Sequence, residues 1–152
     1  MGAMGQAPNI GLGLALAQPD RRVVVLNGDG SMLMNLGSLV TIMNMAPKNL
    51  ALFVVQNGIY EITGGQPLPG LDKFSFAELA RAAGFPKVYV YSELDEFEPD
   101  IAKLLTEEGP VFATLKVETN PIPDSTRELG LFGILFPFVP AAPLGRVPAD
   151  PV

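Results

Sequence analysis

Four consecutive apolar residues, Val23-Val24-Val25-Leu26, run directly into Asn27-Gly28-Asp29-Gly30-Ser31. An unbroken apolar run bounded by turn residues reads as a parallel strand covered on both faces. Glycine allows a tight turn and close approach of backbone to a ligand. Asp29 therefore falls at the carboxyl end of a buried strand, where open α/β sheets bind their ligands. The stretch predicts a metal–diphosphate site, provided the chain supplies further ligands.

A second ligand lies one βαβ unit further on. Leu36, Leu39, Val40 and Met43 fall at i, i+3, i+4 and i+7, one face of a helix that Asn35 would N-cap. Pro47-Lys48-Asn49 breaks that helix, and residues 50–55 form a second apolar strand. Strand, helix, strand implies a right-handed crossover and parallel pairing. Asn57, just past the second strand, then reaches the same sheet edge as Asp29.

The remaining elements follow the same alternation. Residues 7–17 are small and apolar and include Gly11 and Gly13, so they read as a buried helix able to pack closely on a sheet or a partner. Pro19 ends it. Residues 63–70 read as a Gly/Pro-rich loop. Ser75-Phe76-Ala77-Glu78 reads as a capping box, and Gly84 lies just past the end of its helix. A third strand is predicted at 88–91, a helix at 92–108 and a fourth strand at 111–117. The fold class is α/β, a parallel sheet with helices on both faces, over residues 1–117. Residues 118–152 carry seven prolines and an apolar cluster at 129–139. They read as a C-terminal arm, either a partly ordered tail or a segment laid on a partner subunit.

Composition narrows the chemistry. With 152 residues, 48% hydrophobic and 17% charged, the chain is long and apolar enough for one domain with a real core. Some of that apolar surface is expected to be covered by self-association or another subunit. A net charge of −6 argues against a nucleic-acid partner. There is no cysteine and no histidine, so a metal must be held by oxygen, which favours Mg²⁺ or Ca²⁺. No apolar run reaches the roughly 20 residues of a membrane span. Met1 is followed by small residues rather than a basic leader, so no membrane contact and a cytoplasmic location are expected.

Mg²⁺ takes about six oxygens and commonly shares them between protein and substrate phosphates. Asp29 offers a carboxylate, Asn57 a side-chain amide oxygen, and Ile59 a backbone carbonyl if the turn at Gly58 directs it inward. Two diphosphate oxygens and a water would complete the set. The N–H groups of Gly30 and Ser31 would receive the diphosphate, aided by the following helix. The dinucleotide fingerprint fails, because Leu33 stands where a glycine or alanine is required, and the Gly-Lys-Ser/Thr of nucleoside triphosphatases is missing. An ordinary Gly-Asp-Gly turn remains an alternative on these residues alone.

Gly28-Asp29-Gly30, then 26 residues, then Asn57 resembles the signature of thiamine diphosphate-dependent enzymes, in their diphosphate-binding half. Met1-Gly2-Ala3-Met4-Gly5, the stretch from Gly28 to Ser38, and Thr63-Gly64-Gly65-Gln66-Pro67 look most like the sulfopyruvate decarboxylase beta subunit and phosphonopyruvate decarboxylase. Asn57-Gly58-x-Tyr60 is similar to benzoylformate decarboxylase-like enzymes.

The resemblance implies thiamine diphosphate and Mg²⁺ as cofactors and a small 2-oxo acid as substrate. It implies that Asp29, Asn57 and the Ile59 carbonyl hold the metal. Gly28, Gly30 and Ser31 would meet the diphosphate, with Tyr60 beside the cofactor. Met4 would wedge the cofactor into its bent shape, and the Gly2 carbonyl would accept from its aminopyrimidine. The residues alone read Met4 instead as ordinary core packing.

The family's activating glutamate sits on a pyrimidine-binding domain that this sequence does not contain. That implies a partner chain, a hetero-oligomer, and no activity of this chain alone. Some relatives carry a catalytic glutamate six residues after the asparagine, where this chain has Thr63. Glu61, at a different offset, reads as surface or substrate rim, so the catalytic residue is unknown. Relatives also carry a strand and helix ahead of the Met-Gly-x-Met-Gly stretch, and the expectation is a shortened chain. The rival expectations are the beta subunit of a 2-oxo acid oxidoreductase, an acetolactate synthase-like carboligase, and a non-catalytic truncated interaction module.

Overall fold

The structure, a computed structural model, describes residues 4–119. Among these residues are six strands: β1 (Val23–Gly28), β2 (Leu50–Gln56), β3 (Ile59–Tyr60), β4 (Gln66–Pro67), β5 (Lys87–Tyr91) and β6 (Val111–Lys116). The helices are α1 (Ala7–Ala17), α2 (Asp29–Leu33), α3 (Gly37–Met45), α4 (Phe76–Ala83), α5 (Leu94–Phe97) and α6 (Ile101–Thr106). β1, β2, β6 and β5 form one parallel sheet in that order.

Burial explains why the apolar runs became strands. β2 and β6 occupy the middle, and Leu50, Ala51, Leu52, Val54, Val111, Phe112 and Ala113 are all fully buried. On one face Val25, Leu52, Val54 and Phe112 pack with Leu12, Leu39, Ile42, Phe76 and Ala80 from α1, α3 and α4. On the other, Ala51, Phe53, Val111 and Ala113 pack with Leu104 of α6 and Phe97 of α5. Each large apolar side chain so buried contributes about 1.5–3 kcal/mol. Helices thus cover both faces, as expected of the fold class.

β1 departs from the expectation of cover on both faces. Val25 and Asn27 point into the core, whereas Val24 and Leu26 stay exposed. The second face's cluster is built on β2, β5 and β6 and does not reach β1. Ile10 and Leu14 on the outer side of α1 are also exposed, at 57% and 54%, as is Val40 of α3.

α1 packs as its glycines predict, on one side only. A Cβ on Gly11 would run into the Val25 side chain, while one on Gly13 would meet open space. Asn49, just before β2, secures the end of this helix. Its Nδ2 donates to the carbonyls of Ala15, Gln18 and Arg21 at 3.0, 2.9 and 2.8 Å.

Four local expectations are corrected. The helix after the Gly-Asp-Gly stretch begins at Asp29, and Asn35 caps nothing. The chain instead turns at 34–36, and Leu36 precedes α3. Ser75 does precede α4, but no side-chain capping bond forms, and Glu78 pairs with Arg81. Residues 92–108 are not one helix. Pro99 lies in a 3₁₀ turn, Glu98–Asp100, between α5 and α6, consistent with proline's missing donor and steric demand. The 63–70 loop contains β4, which pairs antiparallel with β3.

No helix among the described residues is long and apolar enough to cross a membrane. The expected arm at 118–152 falls almost wholly outside the described residues, as does Gly2.

Candidate functional site

β1 and β2 pair in parallel with Gly28 beside Val55, so the segments that follow them leave the same edge of the sheet. Asp29 opens α2 there and is only 2% exposed. Its Oδ1 accepts the Gly30 N–H at 2.8 Å, and its Oδ2 accepts the Gly58 N–H at 2.7 Å. Gly58 lies at φ +79°, which glycine adopts without penalty. Neither Gly28 nor Gly30 has a positive φ, so the expected tight turn at those glycines is absent and the strand passes straight into the helix.

Gly30 is needed for a different reason. A Cβ there would sit 2.6–2.7 Å from Cδ1 and Cε1 of Tyr60. Tyr60 thus lies against the floor of the site. At Gly28 a Cβ would meet nothing within 4 Å, so the backbone faces open space there.

Asn57 is half-buried, and its carboxamide is oriented at both ends. Nδ2 donates to Glu61 Oε2 at 2.8 Å, and Oδ1 accepts the Ile59 N–H at 3.1 Å. Ile59 stands opposite Pro67 in the β3–β4 pair, and Pro67 has no N–H to donate to the Ile59 carbonyl. The pair is anchored by Leu68 N–H to Gly58 O at 2.9 Å and Gly65 N–H to Tyr60 O at 2.9 Å.

The amino-terminal segment joins the site through Gly5. Its N–H donates to Ser31 Oγ at 2.8 Å, and its carbonyl accepts from Asn35 Nδ2 at 3.0 Å. Met4, adjoining this clamp, is 39% exposed. Asp29, Gly30, Asn57, Ile59 and Tyr60 come together, and Ser31 ties Met4-Gly5 to them. Sequence reading missed Asn35 and Glu61 as partners of site residues. Asn57 and Glu61 meet across a turn and a two-residue strand rather than along a helix, so their spacing gave no signal.

The electrostatics favour a cation. Burial pushes the Asp29 carboxyl above its ordinary pKa, against backbone N–H groups of Gly58, Gly30 and Asn57 that favour the ionised form. No lysine or arginine pairs with it among the described residues. Nor does any cluster of three or more His, Cys, Asp or Glu there form a metal cage. Asp29, Asn57 Oδ1 and the Ile59 carbonyl are hard oxygen donors, too few to complete a coordination sphere alone. Each accepting oxygen of Asp29 keeps a second lone pair. That donor set fits Mg²⁺ shared with a diphosphate.

A parallel sheet thus carries a buried acid and an oriented asparagine on adjacent loops, an α/β arrangement suited to a cation shared with a diphosphate. Residues 1–114 match the thiamine pyrophosphate enzyme family, C-terminal TPP binding domain, and the chain belongs to that family. It is 44% identical over 118 residues to sulfopyruvate decarboxylase subunit beta of Methanothermobacter thermautotrophicus, covering 78% of this chain and 60% of that one. It is 41% identical over 122 residues to phosphonopyruvate decarboxylase of Streptomyces viridochromogenes, covering 80% of this chain and 30% of that one. Among solved structures, a protein from Mycobacterium smegmatis described as thiamin diphosphate-dependent superposes with a TM-score of 0.63 at 25% identity, covering 80% of this chain and 23% of that one. The chain is thus the thiamine pyrophosphate-binding domain of a protein like the sulfopyruvate and phosphonopyruvate decarboxylases, and it spans less than two thirds of these relatives' length.

Proposed function

We propose that this chain anchors Mg²⁺ and thiamine diphosphate as the diphosphate-binding half of a 2-oxo acid decarboxylase, a carboxy-lyase of the sulfopyruvate/phosphonopyruvate type. The observation that carries this reading is the buried Asp29, held by Gly58 and lacking a cationic partner among the described residues. Asp29, Asn57 Oδ1 and the Ile59 carbonyl hold the cation. The Ser31 N–H, and that of Gly30 once released from Asp29, meet the diphosphate beside the open space over Gly28. Exposed Met4, next to the Ser31–Asn35 clamp on Gly5, is the apolar support for the cofactor's bend, and Tyr60 borders the site. Gly2 keeps its proposed role toward the aminopyrimidine. When bound, thiamine diphosphate supplies a thiazolium that takes up the electron pair left as CO₂ departs from a 2-oxo acid.

The activating glutamate comes from a pyrimidine-binding domain outside residues 1–152, on a partner subunit. The Methanothermobacter relative is a subunit beta, which supports that arrangement. Exposed Ile10, Leu14 and Val40 are apolar surface that such an assembly, or self-association, would cover. Residues 1–117 form the binding domain.

Calorimetry on the full chain tests the site. Thiamine diphosphate should bind only with Mg²⁺, and Asp29→Ala should weaken binding at least tenfold. Unchanged affinity in that variant would overturn the assignment. The chain alone should show negligible decarboxylation of sulfopyruvate or phosphonopyruvate. Robust turnover without a partner would overturn the two-chain reading.

A further inference from the structure

The hydrogen bond from Asn57 Nδ2 to Glu61 Oε2, 2.8 Å long, is not explained by the ligand set itself. Glu61 opens the 3₁₀ turn Glu61–Thr63, four residues after Asn57. Its only hydrogen bond among the described residues that involves the carboxylate is this one. It makes no salt bridge there, so it does not have the usual role of a surface carboxylate. β3–β4 pairing and the two backbone bonds at Gly58 and Tyr60 hold the turn against the end of β2.

A carboxamide has two ends of similar size and opposite chemistry: an oxygen that only accepts and an NH₂ that only donates. Either end of Asn57 fits sterically after a 180° flip. Only the oxygen can bind a hard cation. An ionised carboxylate beside one end accepts but cannot donate, so the flipped amide would set its oxygen against Glu61. The Ile59 N–H, which donates to Oδ1, would then face an NH₂. Both neighbours select the same orientation. Of the two, only Glu61 is a side chain, and so open to substitution.

We propose that Glu61 is a positioning residue: by accepting from Asn57 Nδ2, it holds the asparagine with its amide oxygen turned toward the cation site. This rests on the reading of Asp29 and Asn57 as Mg²⁺ ligands. Glu61 touches neither metal nor substrate in this role. It acts as outer partners of metal ligands do, where loss of the partner commonly lowers metal affinity 10- to 100-fold.

The test uses the full chain with two variants. Glu61→Ala removes the acceptor. Glu61→Gln removes the charge but keeps an amide oxygen that can accept from Nδ2. Two quantities are read: the NMR shifts of the Asn57 side-chain NH₂ in the metal-free protein, and the affinity for thiamine diphosphate with Mg²⁺. Glu61→Ala should move the NH₂ resonances and weaken cofactor binding at least tenfold. Glu61→Gln should keep most of that affinity, within about threefold of wild type. Equal loss in both variants would mean that charge, not orientation, matters, and would overturn the proposal. So would unchanged NH₂ resonances and affinity in Glu61→Ala. If the wild type binds no thiamine diphosphate with Mg²⁺, the underlying ligand assignment fails, and that outcome is distinct from a wild type that binds normally while Glu61→Ala matches it.

Discussion

The backbone N–H of Gly58 donates to Asp29 Oδ2 at 2.7 Å. The two residues are 29 positions apart and belong to segments leaving adjacent parallel strands. The bond therefore reports that β1, α3 and β2 have closed into a unit whose two loops face each other. It also places the Asn57-Gly58-Ile59 turn over the buried carboxylate, so the proposed ligands depend on one backbone conformation at Gly58.

That dependence predicts the behaviour of Gly58→Ala. A Cβ at this position would be 3.5 Å from Leu71 Cδ1, an ordinary contact. The cost lies in the backbone, at φ +79°: a side chain in left-handed geometry costs about 1–2 kcal/mol. Urea unfolding should show a lower midpoint with an unchanged slope. Calorimetry should show weaker Mg²⁺-dependent binding of thiamine diphosphate.

Gly30→Ala should fail for a steric reason. The added methyl meets the Tyr60 ring, and overpacking of this kind costs about 1–3 kcal/mol. Replacing Tyr60 by alanine removes the obstacle. The stability loss from Gly30→Ala should therefore shrink by more than half in a Tyr60→Ala background. A double-mutant cycle measured by denaturant unfolding reads that coupling directly, and additive losses would show that the ring yields at little cost.

The central strands were legible because burial is written into short patterns, and the apolar residues of β2 and β6 match strands buried on both faces. The face of α3 was read only in part: Leu39 is buried, but Val40 is exposed and Ile42, outside the expected face, takes the buried side. Asp29 and Asn57 were legible as neighbours because a parallel βαβ unit leaves little choice of geometry. What escaped depends on tertiary contacts. Asn35 has the composition of an N-cap, yet its side chain is drawn to Gly5 O, 30 residues away. Glu78 could have closed a capping box but reached Arg81 instead. The floor made by Tyr60 under α2 required the β3–β4 pair, whose two-residue strands are too short to leave a pattern. Val24 and Leu26 read as doubly buried, because a sequence does not disclose which strand lies at an edge.

Asn49 separates stability from binding. Its Nδ2 serves three carbonyls that end α1 and lead into β1, at the opposite end of the strands from Asp29. Asn49→Ala leaves those acceptors without their side-chain partner, which should cost about 1–3 kcal/mol. Thermal unfolding should register the loss. Affinity for thiamine diphosphate with Mg²⁺, measured well below the transition, should stay within about twofold of wild type, a change of less than 0.5 kcal/mol.

The buried carboxylate of Asp29 also predicts a pH dependence. Burial is the largest influence on it and raises its pKa in the folded chain, whereas an unfolded aspartate titrates near about 3.9. Between those two values the folded chain binds more protons than the unfolded one, so stability falls as pH rises. The contribution is fully present below about 3.9 and is lost as pH passes through the raised folded value. Other groups titrate in the same range, so the comparison is with Asp29→Asn, which lacks this proton. Without Mg²⁺, the wild-type stability minus that of the variant should decline as pH rises from about 4 and then level off. Urea unfolding at a series of pH values measures it. A difference that stays flat or rises would show that the Gly30 and Gly58 N–H bonds outweigh burial. With Mg²⁺ and thiamine diphosphate, the decline should be reversed in the wild type alone, because the cation binds the ionised carboxylate and ligand binding stabilises the folded state.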